Sequence, residues 1–349
     1  MTEVQDHSPA VLDGRDERDG RDARDDRDER DERDGRDDRD RHFADHTAFR
    51  TDLAVPLGPL RLANPVMPAS GCFGPELGAL LPVHQLGAVV TKTLFSQRRS
   101  GNPSHRLTES ARGMLNSVGI PSPGSTEFIR TVLPRYRSFG VPVVVSVGGL
   151  TVEEYLRITE DLADAPCEAL EVNVSCPNLE HGGLAIGTDA ATVERVVSGV
   201  VARTTLPVIV KLTPNVTSIG DIARAAEQAG ATAVTVANTF PGMAIDLNTR
   251  GAVLGNGVGG LSGPAVRPMV LRLVWQAAAA VSIPVVGCGG ISTARDALEF
   301  VLAGATAVQL GTATFTRPYA MTQVLRDLDA LCHELGIDRL ADVRGTVRI

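Results

Sequence analysis

Eight short apolar runs recur through the chain: VMPAS (66–70), AVVTK (88–92), PVVVSV (142–147), ALEVNV (169–174), PVIVKL (207–212), AVTVAN (233–238), PVVGCG (284–289) and AVQLG (307–311). Between them lie longer segments such as IGDIARAAEQAGA (219–231) and ARDALEFVLAGA (294–305), in which apolar residues return at helical spacing and the segment ends in Gly-Ala. Unbroken apolar strands alternating with amphipathic helices predict an α/β fold with a parallel sheet covered by helices. Eight such units in about 300 residues predict a (β/α)8 TIM barrel rather than an open doubly wound sheet. Ahead of the first unit, LAVPLG and LRLANPV predict a short N-terminal hairpin. The connection over 93–141 is far longer than the usual few residues, and long connections at the top of a barrel are commonly functional.

The first 48 residues do not share this texture. From Arg15 to Arg39 an arginine stands at every third position, almost always followed by aspartate, with next to nothing apolar to bury. That predicts a disordered, polyampholytic tail over 1–48 and a barrel over 49–349. Between Asp13 and Arg41, fifteen acids against ten arginines give a net −5, so the tail carries most of the chain's −8 and leaves the body close to neutral. No Lys/Arg stripe lies on a predicted helix, which argues against a nucleic-acid partner. No apolar stretch reaches the roughly 18–20 residues that span a bilayer, and no signal-peptide pattern opens the chain. Five scattered cysteines, Cys72, Cys167, Cys176, Cys288 and Cys332, form no CxxC pair. That argues against zinc or an iron–sulfur cluster held by this chain alone and fits a reducing, cytoplasmic setting.

A barrel places its active site at the C-terminal ends of its strands, and the polar residues of the runs collect there. Ser70 ends the first run, Lys92 the second, Asn173 and Cys176 follow the fourth, Lys211 the fifth, Asn238 and Thr239 the sixth. A lysine is rarely buried without a polar or anionic partner, so two of them at strand ends point to a bound anion or an electron-rich cofactor. GCGGIST (287–293) and LGTATF (310–315) add glycines after the seventh and eighth strands, where barrels commonly hold a phosphate on backbone N–H groups. GNGVGG (255–260) satisfies G-x-G-x-x-G, but it follows too short a strand and leads into LSGPAVRP before any helix. It reads as a mobile or ligand-approaching glycine loop, not a dinucleotide fingerprint. His105 and His181 read as solvated loop residues, no histidine pair has an HExxH spacing, and GxSxG and P-loop motifs are missing. Within NVSCPN (173–178), the thiol of Cys176 can be a nucleophile, a metal ligand, a general base or a packing residue. The missing partner cysteines speak against metal ligation. A phosphate site, two cations, several amides and one thiol at one mouth are the components of a flavin oxidoreductase.

Ten motifs then occur in order: NPVMPASG, GAVVTKT, GNPSHR, MLNSVGIPSPG, NVSCPN, VIVKLTPNV, ANTFPGMAID, GGLSGPA, GCGGIS and LGTATF. Together they resemble those of class 1 dihydroorotate dehydrogenases, most closely the B type, over residues 50–345. The resemblance implies FMN in a (β/α)8 barrel and oxidation of dihydroorotate to orotate in pyrimidine biosynthesis. It assigns FMN contacts to Ala69, Ser70, Lys92, Thr93, Ser146, Asn173, Lys211, Ala237, Gly263, Gly289, Gly290, Gly311 and Thr312. It assigns the substrate to Lys92, Asn116, Ser117, Val118, Gly119, Ile120, Asn173, Asn178, Asn238 and Thr239. Cys176 takes the part of the base that removes the C5 proton while hydride leaves C6, and Cys72 and Cys288 read as small packing residues near the flavin. It further implies a partner subunit with FAD and an iron–sulfur cluster that passes electrons to NAD, in a homodimer or heterotetramer.

Three departures stand out. Ser146 occupies a position where B-type relatives commonly have asparagine, Ala185-Ile186 replace a more usual aromatic, and Phe240-Pro241 is unusual after Asn238-Thr239. Within the family, the alternative is a homodimer reduced directly by fumarate or another acceptor, or a relative acting on a different dihydropyrimidine. From another class, the alternative is a non-catalytic flavin-binding barrel whose function lies in the tail. A free thiol titrates near about 8.5, so a base at Cys176 predicts a reaction rate that climbs through mildly alkaline pH. A profile of flavin reduction that stays flat between about pH 6 and about pH 9 would contradict that assignment.

Overall fold

In a computed structural model of the chain, residues 49–175 and 186–348 are described; the Arg/Asp repeat and the stretch holding Cys176, Asn178, His181 and Ala185 lie outside the described residues. Each of the eight apolar runs contains a strand: β1 (Val66–Pro68), β2 (Val89–Val90), β3 (Val143–Val147), β4 (Ala169–Asn173), β5 (Val208–Lys211), β6 (Ala233–Val236), β7 (Val285–Cys288) and β8 (Ala307–Leu310). They form one sheet in the order β1-β8-β7-β6-β5-β4-β3-β2, and each hydrogen-bonded neighbour is parallel. The seam between β1 and β2 is bridged where Gly87 N–H, two residues before β2, donates to Val66 O at 2.9 Å. The sheet thereby curls into a near-closed barrel. Every residue of all eight strands is buried, as expected for parallel strands covered on one face by helices and filled on the other by their own side chains.

The helices between the strands begin on caps that the sequence supplies. Thr151, Asp189, Ser218 and Thr293 each accept a hydrogen bond from the backbone N–H three residues on, opening helices Val152–Asp161, Ala190–Val201, Ile219–Gln228 and Ala294–Leu302. Two of these helices stop short of the segments read from periodicity, at Gln228 and Leu302. Gly230 (φ +95°) and Gly304 (φ +115°) then take up the left-handed conformation that closes a helix. Among the described residues no helix is long and apolar enough to cross a membrane.

The N-terminal hairpin forms as expected, Val55–Leu57 against Leu60–Leu62, antiparallel and with Val55 opposite Leu62. Its turn at Gly58 lies against Thr232, the residue before β6, so the hairpin sits at the N-terminal ends of the strands, away from the mouth. At the mouth, two excursions build a second sheet. Leu107–Ser110 and Gly113–Asn116, from the long connection after β2, pair with Gly259–Ser262 and Phe240–Gly242 from the connection after β6. GNGVGG is therefore not simply a loop: its last two glycines start a central strand of this sheet. The reason is steric, since a Cβ on Gly260 would lie 2.0 Å from Thr239 Oγ1 and one on Gly259 2.5 Å from Asn116 O. Phe240-Pro241 is likewise explained as the opposite strand of the same sheet, with Phe240 facing Leu261.

Gly287, shared by the run PVVGCG and the glycine turn GCGGIST, falls in the strand β7. The space where its side chain would be is filled by the ring of Phe300, whose Cδ1 would lie 2.3 Å from a Cβ there. Phe300 is fully buried and locks helix Ala294–Leu302 onto β7. Phe300→Ala is expected to cost about 3–5 kcal/mol, read as a lower denaturant midpoint with an unchanged slope in chemical unfolding.

Candidate active site at the barrel mouth

The C-terminal ends of β3, β4 and β6 and the residues after β2 carry a continuous hydrogen-bonded belt. Thr93 Oγ1 and Ser146 Oγ are 3.0 Å apart, and Asn173 Nδ2 donates to Thr93 Oγ1 at 3.2 Å. Asn238 Nδ2 donates to Asn173 Oδ1 at 3.3 Å and also to Ser175 Oγ, while Ser175 Oγ donates to Asn173 Oδ1 at 2.6 Å. Asn238 Oδ1 in turn accepts from Thr239 N–H at 2.8 Å. Asn173 is the hub: its side chain is 4 % exposed, and its backbone oxygen accepts from the fully buried Tyr155 hydroxyl at 2.7 Å. Strand alternation explains the location, because residues 171 and 173 of β4 project to the same face, into the barrel. Ser146 is completely buried and bonded to Thr93 and Thr91, so the departure at this position is accommodated inside the belt.

Below the belt lies a second, charged cluster. Lys211, at the end of β5 and 3 % exposed, donates from Nζ to Gln309 Oε1 at 3.2 Å. Gln309 Nε2 donates to Glu171 Oε2 at 2.6 Å, and Thr235 Oγ1 donates to the same oxygen at 3.1 Å. Burial alone would pull the Lys211 ammonium down, but the neighbouring Cys288, Glu171 and Cys72 outweigh it and hold the group above the usual lysine range. Lys92 behaves oppositely: partial burial and then the Arg106 guanidinium press its ammonium below that range. Cys288 is buried beside Lys211, and burial raises its thiol; burial likewise pushes the Cys72 thiol up to about 12. Both are protonated, poor nucleophiles at neutral pH, which suits the packing role expected of them.

Two glycine turns complete the rim. Asp296 accepts from Ser292 N–H, Ser292 Oγ and Thr293 N–H, each at 2.9 Å, and from Arg267 Nη1 at 2.5 Å, which fixes the turn Gly289–Gly290 after β7. After β8, Gly311 packs closely: a Cβ there would lie a tight 3.3 Å from Cys72 Sγ and in ordinary contact, 3.5 Å, with Ala69 Cβ. Thr312 Oγ1 donates to Ser262 Oγ at 2.8 Å, joining this rim to the second sheet beside Gly263. Ala69 N–H donates to Leu310 O at 2.8 Å, and Ala237 N–H to Cys288 O at 2.9 Å, so both alanines sit on the strand ends where they were expected. Ser70 and Lys92 are half-buried on the same rim.

The long connection after β2 supplies a further wall. Asn116 Nδ2 donates to Gly260 O at 3.2 Å, which ties it to the strand beside Thr239. Ser117 accepts from Asn102 Nδ2 at 2.9 Å, and Gly119 and Ile120 both have positive φ, +74° and +49°. A β-branched residue held at positive φ marks a segment whose path is dictated by its surroundings. No described hydrogen bond reaches from Val118, Gly119 or Ile120 to the belt, so the structure brings them to the same wall without joining them to it. Beside Lys92 the wall encloses a cavity of about 260 Å³, lined chiefly by Phe73, Pro75, Leu94, Pro121, Phe128 and Tyr136. His105 is exposed, as a solvated loop residue should be.

Sequence reading passed over Ser175, Tyr155, Glu171, Thr235 and Gln309. A signal was present for two of them: Glu171 and Gln309 interrupt the otherwise apolar runs ALEVNV and AVQLG, and a strand that is buried on both faces has no water in which to leave such groups. Gly290 allows a test of how tightly the rim is built. Gly290 (φ +78°) and Gly140 (φ +72°) share a left-handed backbone, but a Cβ at 290 would meet Arg267 N and Gly263 O at 2.8 Å, whereas one at 140 would meet nothing within 4 Å. Gly140→Ala is expected to cost about 1–2 kcal/mol and Gly290→Ala clearly more, measured by chemical denaturation of the two variants.

A family model for dihydroorotate dehydrogenase matches residues 52–332. The chain is 49% identical over 295 residues to the dihydroorotate dehydrogenase B (NAD(+)) catalytic subunit of Desulforudis audaxviator, a match covering 84% of this chain and 96% of that one. It is 46% identical over 299 residues to the protein of the same name from Geobacillus kaustophilus, covering 84% and 95%. With the corresponding subunit of Alkaliphilus metalliredigens it shares 44% identity over 300 residues, covering 85% and 99%. The chain belongs to the dihydroorotate dehydrogenase family.

Proposed function

We propose that this chain oxidises dihydroorotate to orotate on a bound FMN and is the catalytic subunit of an NAD-linked, B-type enzyme of pyrimidine biosynthesis. The reading is carried by the juxtaposition of one buried cation, Lys211, with an amide belt above it and two side-chain-free turns beside it. It is supported by relatives named as B-type NAD(+) catalytic subunits at 44–49% identity over nearly their full length. The unit carrying the activity is the barrel, 49–349, with the Arg/Asp repeat of 1–48 outside it.

The residues present fit a flavin mononucleotide. Gly289, Gly290 and Gly311 give backbone close to the ends of β7 and β8 without side chains in the way, which suits a phosphate. Ala69, Ser70, Thr93, Ser146, Ala237, Gly263 and Thr312 form the remaining contacts in this reading, and Lys211 supports negative charge near the isoalloxazine. The flavin, when bound, supplies a two-electron acceptor for hydride from C6. The protein's own part is to hold and deprotonate the substrate. Lys92 pairs with its carboxylate, while Asn116, Asn173, Asn178, Asn238 and Thr239, with backbone from Ser117 to Ile120, hydrogen-bond its planar ring edges. Cys176 follows the Asn173–Ser175 end of the belt by one residue in the chain; its Sγ removes the proton from C5, and the sheet over the mouth keeps bulk water from the ring.

In the B-type reading the electrons leave through a partner subunit carrying FAD and an iron–sulfur cluster. The scattered cysteines of this chain agree, since they offer no cluster-binding motif. The test is anaerobic reduction of the purified, flavin-loaded chain by dihydroorotate, followed at the flavin absorbance, with NAD plus partner subunit or fumarate as the reoxidant. Bleaching by dihydroorotate, with reoxidation by NAD only when the partner is present, is expected; reoxidation by fumarate alone would overturn the B-type part. Cys176→Ala is expected to retain flavin and to lose turnover by about 10²–10⁴-fold, the usual contribution of a general base. Full activity in that variant would remove Cys176 from the mechanism.

A further inference from the structure

Glu171 is completely buried at the centre of the barrel, and the chemistry derived above makes no use of it. One carboxylate oxygen, Oε2, is well satisfied by Gln309 Nε2 at 2.6 Å and Thr235 Oγ1 at 3.1 Å. The other, Oε1, accepts no hydrogen bond from any described residue and lies 3.9 Å from Lys211 Nζ. Gln309 spans the pair from the opposite side of the barrel: its oxygen receives Lys211 and its nitrogen serves Glu171. Four strands, β4, β5, β6 and β8, thus contribute one side chain each to a single cluster.

An isolated lysine this deeply buried would lose its proton, because desolvation acts against the charged form and shifts buried lysines by as much as about 3–5 pH units. The titratable groups facing Lys211 are Cys288, Glu171 and Cys72. Of the three, Glu171 is the carboxyl group, and it alone also bonds the Gln309 amide that receives Lys211. The carboxylate is also placed so that it does not capture the ammonium outright. At 3.9 Å it balances the charge, while the direct hydrogen bond from Nζ goes to the neutral amide of Gln309.

We propose that Glu171 is a positioning residue: through its charge and through Gln309 it keeps Lys211 protonated and aimed at the barrel mouth, and thereby sets the reduction potential of the flavin bound there. The proposal rests on the flavin reading above and deepens it. Asn173, two residues along the same strand face, ties the cluster to the belt, so one strand carries both the substrate-side amide and the counter-charge beneath it.

The test is the two-electron reduction potential of the flavin in purified wild-type protein and in Lys211→Met, Glu171→Gln and Glu171→Gln/Lys211→Met, each loaded with flavin. Glu171→Gln keeps the shape and, with its oxygen in the place of Oε2, the acceptor for Gln309 and Thr235, while it removes the charge. If Glu171 sustains the lysine's charge, this variant lowers the reduction equilibrium constant about tenfold or more (~30 mV), towards the value of Lys211→Met. The double variant then shows no further fall, since the carboxylate has nothing left to act on. Gln309→Met, which cuts the bridge but keeps the carboxylate, provides a second arm should Glu171→Gln not fold, and a smaller fall in the same direction is expected. The proposal is overturned if Lys211→Met lowers the potential while Glu171→Gln and Gln309→Met leave it at, or above, the wild-type value. A wild-type chain that binds no flavin, judged by its visible spectrum, would instead overturn the underlying reading, and the proposal with it.

Discussion

A lysine ammonium inside a barrel core is the constraint to which the rest of the site answers. Removing such an ion from water costs several kcal/mol even after relaxation, and Lys211 is 3 % exposed. It is tolerated because β4, β6 and β8 each give up an apolar position to a polar one: Glu171, Thr235 and Gln309. Thr235 lies opposite Lys211 on one side and Asn173 on the other, while Glu171 sits two residues lower on β4, opposite Ile209. Once a charged layer is committed at that height, the layer above it has polar neighbours on which to build.

That upper layer is the belt from Ser146 through Thr93, Asn173 and Asn238 to Thr239. It is orienting in character, because Thr93, Asn173 and Asn238 each have two or more partners inside the protein, which fix their amides and hydroxyls in place. The two excursions after β2 and β6 close over it as one sheet, anchored at Asn116–Gly260 and Ser262–Thr312. Residues distant in sequence, such as Asn116 and Thr239, become neighbours only through the pairing of those excursions. The same pairing explains why Gly259 and Gly260 have no side chains: they lie where two backbones and a threonine meet.

What could be read from the residues alone followed how local the signal was. Each of the eight strands announced itself as an apolar run, and the two lysines stood out because charge is conspicuous against that background. The helix ends were legible as well, because each segment ends in Gly-Ala and the backbone reverses at the glycine of that pair, Gly230 and Gly304. Gly287 was counted both in the strand run PVVGCG and in the turn GCGGIST, because composition does not reveal that Phe300 fills the space beside it. The second sheet was illegible for a different reason: Leu107–Asn116 and Phe240–Ser262 are too far apart in sequence for any local pattern to pair them. Glu171 and Gln309 were visible as interruptions, but their partnership depends on strand register, which the runs do not specify. Cys176 and Asn178, central to the sequence reading, lie outside the described residues, so the case for them rests on motif and not on geometry.

The central claim is that the mouth of this barrel is built for a flavin carrying a phosphate. The most direct measurement is calorimetric titration of the flavin-free chain with FMN and, separately, with riboflavin. If the turns at Gly289–Gly290 and Gly311 hold the phosphate, FMN binds about 100-fold more tightly than riboflavin, the value of one or two charge-assisted hydrogen bonds at about 1.5–3 kcal/mol each. Equal affinity for the two would contradict the account.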